Sequence, residues 1–217
     1  TARKGSLEAL LERLHAAEAA LLVGTQMLAK GHHFPRVTLV GVLDADGGLY
    51  SADFRATERM AQLLVQVAGR AGRGDRPGRV LIQTRYPDHP LLQALVRKGY
   101  RAFAEQALLE RQAAAMPPFS HQALMRADAT RQEYAQALLE QVVGWAKGLG
   151  VEGVEMWGPV PAPMARRAGR HRVHLLFQAS RREALHALLQ RLPAEVAEMP
   201  AAKRVRWSLD VDPLDLY

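Results

Sequence analysis

An α/β region followed by a smaller α+β region is the fold class this sequence predicts, and three observations carry the prediction. Residues 37–43 and 80–84 are short apolar runs without alternation, the pattern of strands buried on both faces of a parallel sheet. Apolar residues recur at helical spacing around them, as in Leu7, Leu10, Leu11 and Leu14 and again in Leu63, Leu64 and Val67. Beyond Pro117 and Pro118 the periodic segments change order to strand, helix, strand, strand, helix, strand.

Taken in turn, Ser6 is a good N-cap for the first leucine repeat, so a helix opens the chain. A short strand is expected at residues 20–23, ahead of the one at 37–43. A long helix is predicted from Asp53 through Val67, broken by Gly69 and Gly72 before the strand at 80–84. Helix, strand, strand, helix, strand with short connections is α/β layering. Further helices are predicted at 90–98 and 100–115. Pro117 and Pro118 end the latter, because proline lacks the amide hydrogen and restrains the residue before it. A domain boundary is set there, giving residues 1–117 and 118–217. The second domain reads as a strand at 121–127, a helix at 132–147, strands near 154–157 and at 173–178, a helix at 181–192 and a strand at 204–210. That order is the split ferredoxin-like βαββαβ arrangement. No internal repeat and no low-complexity segment is apparent.

Composition narrows the chemistry. The 217 residues contain no cysteine, which removes disulfides, cysteine-based zinc sites, thiolate nucleophiles and iron–sulfur clusters together. Lys plus Arg is 29 against 22 for Asp plus Glu, a net charge of +7, and 48% of residues are hydrophobic. That balance describes a folded basic protein, not a disordered tail. No apolar run approaches the roughly 18 residues of a membrane span and no signal-peptide pattern opens the chain, so a cytoplasmic protein without a membrane partner is expected. The first residue is Thr1, which raises the expectation of a larger parent.

Arginines are unevenly placed. Arg55, Arg59, Arg70, Arg73, Arg76, Arg79 and Arg85 share one segment with Glu58 and Asp75. Arg166, Arg167, Arg170, Arg172, Arg181 and Arg182 read as a second cluster, with no carboxylate between its ends. The guanidinium fork suits phosphate and carboxylate recognition, and the alternative is a solvated face. Gln66-Val67-Ala68-Gly69-Arg70-Ala71-Gly72-Arg73 closes a helix with two glycines and two arginines three residues apart. Such a pair can clamp a polyphosphate, or simply cap the helix. Residues 23–35 form a strand running into a glycine-bounded polar loop, where ligands of open α/β sheets bind. The P-loop pattern G-x-x-x-x-G-K-[ST] occurs nowhere in the chain.

In this order, Gly24 to Gly31 and Gln66 to Arg73 resemble motifs V and VI of the C-terminal RecA-like lobe of a superfamily 2 helicase, the second as Q-x-x-G-R-x-G-R. Gly24-Thr25-Gln26-Met27-Leu28-Ala29-Lys30-Gly31-His32-His33-Phe34-Pro35, Leu43-Asp44-Ala45-Asp46 and Ser51-Ala52-Asp53-Phe54-Arg55 narrow the likeness. With Pro117-Pro118, Gly158-Pro159-Val160-Pro161-Ala162 and Leu209-Asp210-Val211-Asp212-Pro213, the chain is similar over nearly its whole length to the PriA family of replication-restart DNA helicases. The resemblance implies the latter part of helicase lobe two over 1–117 and the family's C-terminal domain over 118–217. Walker A and B, the cysteine zinc sites and the fork-binding domain precede this region in the family. Arg170-His171-Arg172 departs from the family's pattern of an aromatic before the second arginine.

The roles implied are those of an ATP-dependent, three-prime to five-prime helicase that recognises stalled forks and starts primosome assembly. Arg73 resembles the arginine finger for ATP and Mg²⁺ held mainly by lobe one, with Arg70 its neighbour and Gln66 and Gly69 on the nucleotide side. Gly24, Thr25 and Lys30 look like the motif V contact to the DNA backbone. Arg166, Arg167, Arg170 and Arg172 are DNA-binding candidates, and Arg181 is the candidate for the acidic tail of single-stranded DNA-binding protein. Implied partners are branched and single-stranded DNA, that protein and other primosome proteins, with the chain a monomer. The rival is a non-catalytic DNA-binding and protein-docking fragment. Asp44 and Asp46 read as paired acids or metal ligands, or, in the preferred reading, as structural or interlobe groups. His32-His33 and His171 with His174 assemble no metal site. Trp145 and Trp157 are expected in the core, and Trp207 either there or stacked on a base.

Overall fold

The computed structural model describes residues 21–24, 37–51, 53–69 and 78–216. The predicted helix at 7–14, Thr25, Lys30, His32, His33, Arg70 and Arg73 lie outside the described residues. Two compact units are distinguished, one of residues 1–50 and 56–103, the other of residues 51–55 and 104–217. The boundary expected at Pro117 and Pro118 falls inside the second unit.

In the first unit β1 (Leu39–Val42) and β2 (Arg79–Ile82) pair in parallel, Leu39 opposite Arg79 and Val42 opposite Ile82. A parallel pair needs a crossover. The described part of it holds α1 (Asp46–Leu49) and α2 (Ala56–Ala68), and α2 packs on both strands through Met60, Ala61, Leu64 and Val67. These strands are not buried on both faces as the apolar runs predicted. Both alternate exposed and half-buried positions, with Leu39, Leu43 and Leu81 more than half exposed. Among the described residues the sheet has two strands, so each is an edge. Leu21 to Val23 form no strand and are partly or fully exposed. The helix expected from Asp53 begins at Ala56, because Asp53 is taken up in a turn: its Oδ1 accepts from the Arg55 amide and its own amide donates to Ser51 Oγ. α3 (Pro90–Lys98) has the predicted bounds, capped by His89 Nδ1 accepting from the Leu91 amide. α4 (Tyr100–Ala113) follows.

The second unit contains β3 (His121–Ala129), α5 (Gln132–Gly148), β4 (Val154–Arg167), β5 (Arg170–Ala179), α6 (Arg182–Glu198), a 3₁₀ turn (Pro200–Arg204) and β6 (Arg206–Val211). All four strands are antiparallel, in the order β4-β5-β3-β6. Both helices pack on the sheet, and residues such as Met125, Leu138, Val142, Leu175, Phe177, Leu188 and Leu192 are wholly buried between them.

Two features depart from the sequence reading. β4 runs ten residues past the predicted end at 157, through Pro159, Pro161 and Pro163, with register shifts after Trp157 and after Pro161. An edge strand tolerates those prolines, since half its amides face away from any partner. The unit also contains a repeat. The buried positions of α5 are Ala135, Leu138, Leu139, Val142 and Ala146, and those of α6 are Leu185, Leu188, Leu189, Leu192 and Val196, each fifty positions on. β3 and β5 obey the same offset and nearly the same burial pattern.

Candidate nucleic-acid interface

β4 and β5 form a hairpin closed by Ala168 and Gly169, whose φ values of 48° and 76° are the two left-handed residues of a type I′ turn. Arg167 pairs with Arg170 and Arg166 with His171 across it. Four arginines are thus gathered by a turn of two residues. Arg166 and Arg167 are exposed and make no ion pair among the described residues. Arg170 and Arg172 point elsewhere. Arg170 Nη2 donates to the Asp128 carbonyl at 2.9 Å, and Arg172 Nε lies 3.6 Å from Asp128 Oδ1 with its side chain 13% exposed. Half-buried guanidiniums tied to one aspartate hold β5 to β3, so Arg166 and Arg167 are the members of the quartet open to a ligand.

The second arginine cluster is not one cluster. β5 separates Arg170 from Ala179, nine residues at about 3.4 Å each, or roughly 30 Å. Arg181 and Arg182 therefore stand at the opposite end of the sheet from the hairpin. Arg181 is the N-cap residue of α6, its side chain 79% exposed and 3.7 Å from Glu183 Oε2. Arg182 lies 3.6 Å from Asp212 Oδ2.

The helix-free face of the sheet is roofed by the chain's own end. Asp212 donates its amide to the Gln122 carbonyl, and Arg126 Nη1 meets Asp210 Oδ2 at 2.8 Å while Nη2 donates to the Asp215 carbonyl. Leu124, Gln122 and His174 are 5% exposed or less. Burial, then the nearby Arg172 and Arg126, push His174 down to about 4, against smaller opposing effects of Asp128 and the Leu216 backbone. His171, three residues before it, is half-buried.

The tryptophans partly reverse expectation. Trp207 pairs with Ala127 on the helix-covered face and packs against the core. Trp145 also packs there, but Trp157 is 59% exposed at the edge strand. Asp46 accepts from Thr84 Oγ1 and from the Arg85 amide, contacts that hold its carboxyl below the ordinary range. These contacts tie the start of α1 to the segment that follows β2. Gln66 is exposed on the last turn of α2 and Gly69 follows the helix, its amide donating to the Val65 carbonyl. Gly24 is exposed. Among the described residues no three potential metal-ligating side chains stand together, and no helix is long and apolar enough to cross a membrane.

Residues 112–214 match the family described as the primosomal protein N C-terminal domain. Proteins named replication restart protein PriA are similar over the whole chain: 48% identical in Haemophilus influenzae and 39% in Synechocystis, each across all of this sequence. The Bacillus subtilis protein of that name is 36% identical over 98% of it. The chain spans between a quarter and a third of the length of these relatives. Carrying that C-terminal domain and similar to PriA proteins from end to end, the chain belongs to the PriA replication-restart family.

Proposed function

We propose that this chain supplies the nucleic-acid-binding and protein-docking part of an ATP-dependent, three-prime to five-prime DNA helicase that recognises stalled forks and begins primosome assembly. The observation that carries the DNA part is the hairpin: Arg166 and Arg167 are exposed at the tip of a fixed two-residue turn and make no ion pair among the described residues. Fixed cations with no internal partner are available to phosphates. In this reading residues 1–117 are the latter part of a RecA-like lobe and residues 118–217 the binding domain. ATP and Mg²⁺ are held mainly by a first lobe. Gln66 and Gly69 lie on the nucleotide side, Arg70 and Arg73 act on the γ-phosphate charge, and Gly24, Thr25 and Lys30 touch the DNA backbone. Zinc belongs to other parts of the family's proteins.

Two measurements test it. Labelled forked DNA titrated with the chain at several salt concentrations should show affinity falling with salt, by a log–log slope of about 0.7 to 0.9 per phosphate contact. Arg166→Ala/Arg167→Ala should flatten that slope, and an unchanged slope removes the hairpin from the interface. The chain alone should show no DNA-stimulated ATP turnover, since an arginine finger assists only a nucleotide already held with its metal.

A second reading concerns Arg181. It is exposed at the start of α6, its one ion pair among the described residues is with an equally exposed glutamate 3.7 Å away, and such pairs contribute little. A guanidinium there can grip a terminal carboxylate, which supports docking of the acidic tail of single-stranded DNA-binding protein. Arg181→Ala should weaken the tail peptide and leave DNA affinity intact. The reverse pattern assigns Arg181 to DNA.

A further inference from the structure

The hairpin stands at one end of the four-stranded sheet, and the fold brings a second set of cations to that end from another part of the chain. β6 begins there: Arg206 pairs with Asp128, which pairs with Arg172 on the other side, so the three lie in one row across β5, β3 and β6. The 3₁₀ turn Pro200–Arg204 delivers Lys203 and Arg204 just ahead of that row. Arg131, the residue before α5, is at the same end because β3 finishes there. Lys203, Arg204, Arg206 and Arg131 are all exposed.

We propose that Lys203, Arg204, Arg206 and Arg131 form a second phosphate-binding strip that continues the Arg166 and Arg167 hairpin, so that a nucleic-acid backbone runs along this end of the sheet. The proposal rests on the nucleic-acid-binding reading of this chain and extends it to residues that no sequence cluster contains. Two observations support it. Lys203 and Arg206 make no ion pair among the described residues, and the nearest carboxylates along the chain are Glu198 before them and Asp210 after. Arg131 and Arg204 are positioned by one ring: their guanidinium carbons stand 5.4 Å and 5.5 Å from the centroid of Tyr134. Stacked guanidiniums lose less freedom when a phosphate arrives. Arg131 also meets Glu133 at 3.2 Å, but with both side chains about two-thirds exposed the pair is screened and yields readily.

Dimensions agree with an extended polyanion. Four strands spaced about 4.8 Å apart span about 14 Å, the length of about four phosphates of one strand of a duplex. An acidic peptide is the less suitable occupant, since peptide recognition uses an apolar pocket beside the charge. Here Val205 is turned into the core, and Ala201 and Ala202 are half-buried against it.

The test is a salt titration of the full chain with a labelled mixed-sequence oligonucleotide, single-stranded and duplex, between about 50 and about 200 mM salt. Lys203→Ala/Arg206→Ala removes side chains that make no side-chain hydrogen bond or ion pair among the described residues, and Lys203→Glu/Arg206→Glu repeats the experiment with reversed charge; circular dichroism melting verifies folding. Each lost phosphate contact lowers the slope by about 0.7 to 0.9, so the alanine pair should lower it by about 1.4 to 1.8 and weaken binding several-fold at the lower salt. Wild-type slope and affinity in both variants overturn the strip. Loss of poly-glutamate binding with DNA binding retained also overturns it, in favour of an acidic protein partner. A wild-type slope in Arg166→Ala/Arg167→Ala alone overturns the hairpin reading and leaves the strip standing, whereas absence of salt-sensitive DNA binding by the wild type overturns both.

Discussion

His174 sits on β5 beneath the terminal segment, 5% exposed, with Arg126, Arg172 and Asp128 as its charged neighbours. Its folded-state value near 4 lies below the ordinary 6.5, so between those pH values the unfolded chain binds a proton that the folded chain refuses. The stability it contributes is therefore complete above about pH 6.5 and is lost as pH falls toward 4, on the order of 3 kcal/mol in total. Urea midpoints measured from pH 4 to pH 8 should fall more steeply at the acid end for the wild type than for His174→Gln; parallel curves would refute this. Gly158 offers a second residue-level test. Its φ is 114°, and a Cβ there would come within 2.8 Å of the His174 carbonyl oxygen, backbone that cannot swing aside. Gly158→Ala should cost about 1–3 kcal/mol, read as a lowered melting temperature. Single residues were also where the sequence misled most. Arg170 and Arg172 look like Arg166 and Arg167 in a string of letters, yet Asp128, more than forty positions away, decides that two are structural and two are open.

At the level of elements, periodicity revealed the helices and interior strands of the second unit, because a 3.6-residue apolar stripe or a buried run is a local signal. Its internal repeat was masked because the residues that recur fifty positions on, Arg131, Glu133, Ala137, Leu138 and Leu139 as Arg181, Glu183, Ala187, Leu188 and Leu189, stand among buried positions that change size. Ala135, Val142 and Ala146 become Leu185, Leu192 and Val196 fifty positions on, larger side chains in equivalent buried places. The extension of β4 was hidden because proline reads as a breaker unless the strand is known to be an edge. Since β4 carries half of the hairpin, that error also concealed how the candidate interface is built. Equivalent positions should carry comparable energy: Leu138→Ala and Leu188→Ala, both wholly buried, should each lower the denaturation free energy by about 2–5 kcal/mol. A cost below 1 kcal/mol at one of them would show that its half of the repeat does not share the core. The hairpin turn gives the opposite sign. Ala168 is left-handed at φ 48°, where asparagine is easier, so Ala168→Asn should raise stability by a few tenths to about 1 kcal/mol without altering the arginines beside it.

For the whole molecule, the two units differ in how much of their structure follows from their own described residues. β1 and β2 leave Leu39, Leu43 and Leu81 mostly exposed, and the sequence runs that looked buried were read on the assumption of a wider sheet. The second unit needs no such assumption. Among the described residues its core cluster runs from Ala123 to Val205 and draws no buried member from residues 53–55 or from α4. Phe54, whose carbonyl accepts from Arg111 Nη2, is thus attached to this unit without being part of its core. A fragment of residues 112–217 loses that attachment and keeps the whole core, along with the Gln178 bond to the Ala115 carbonyl. It should therefore unfold in urea as a single cooperative transition, with a slope of about 1–3 kcal/mol per molar as expected for a small domain. Fluorescence of Trp145 and Trp207, both packed against that core, and far-ultraviolet circular dichroism should give the same midpoint. Separate midpoints, or a sloping loss of signal without a transition, would mean that α4 or residues 51–55 help to form the core. The fragment also retains both halves of the basic end. If it folds, its salt slope for DNA should equal that of the full chain wherever the first unit contributes no phosphate contact, and any excess slope in the full chain measures the contribution of residues before 112.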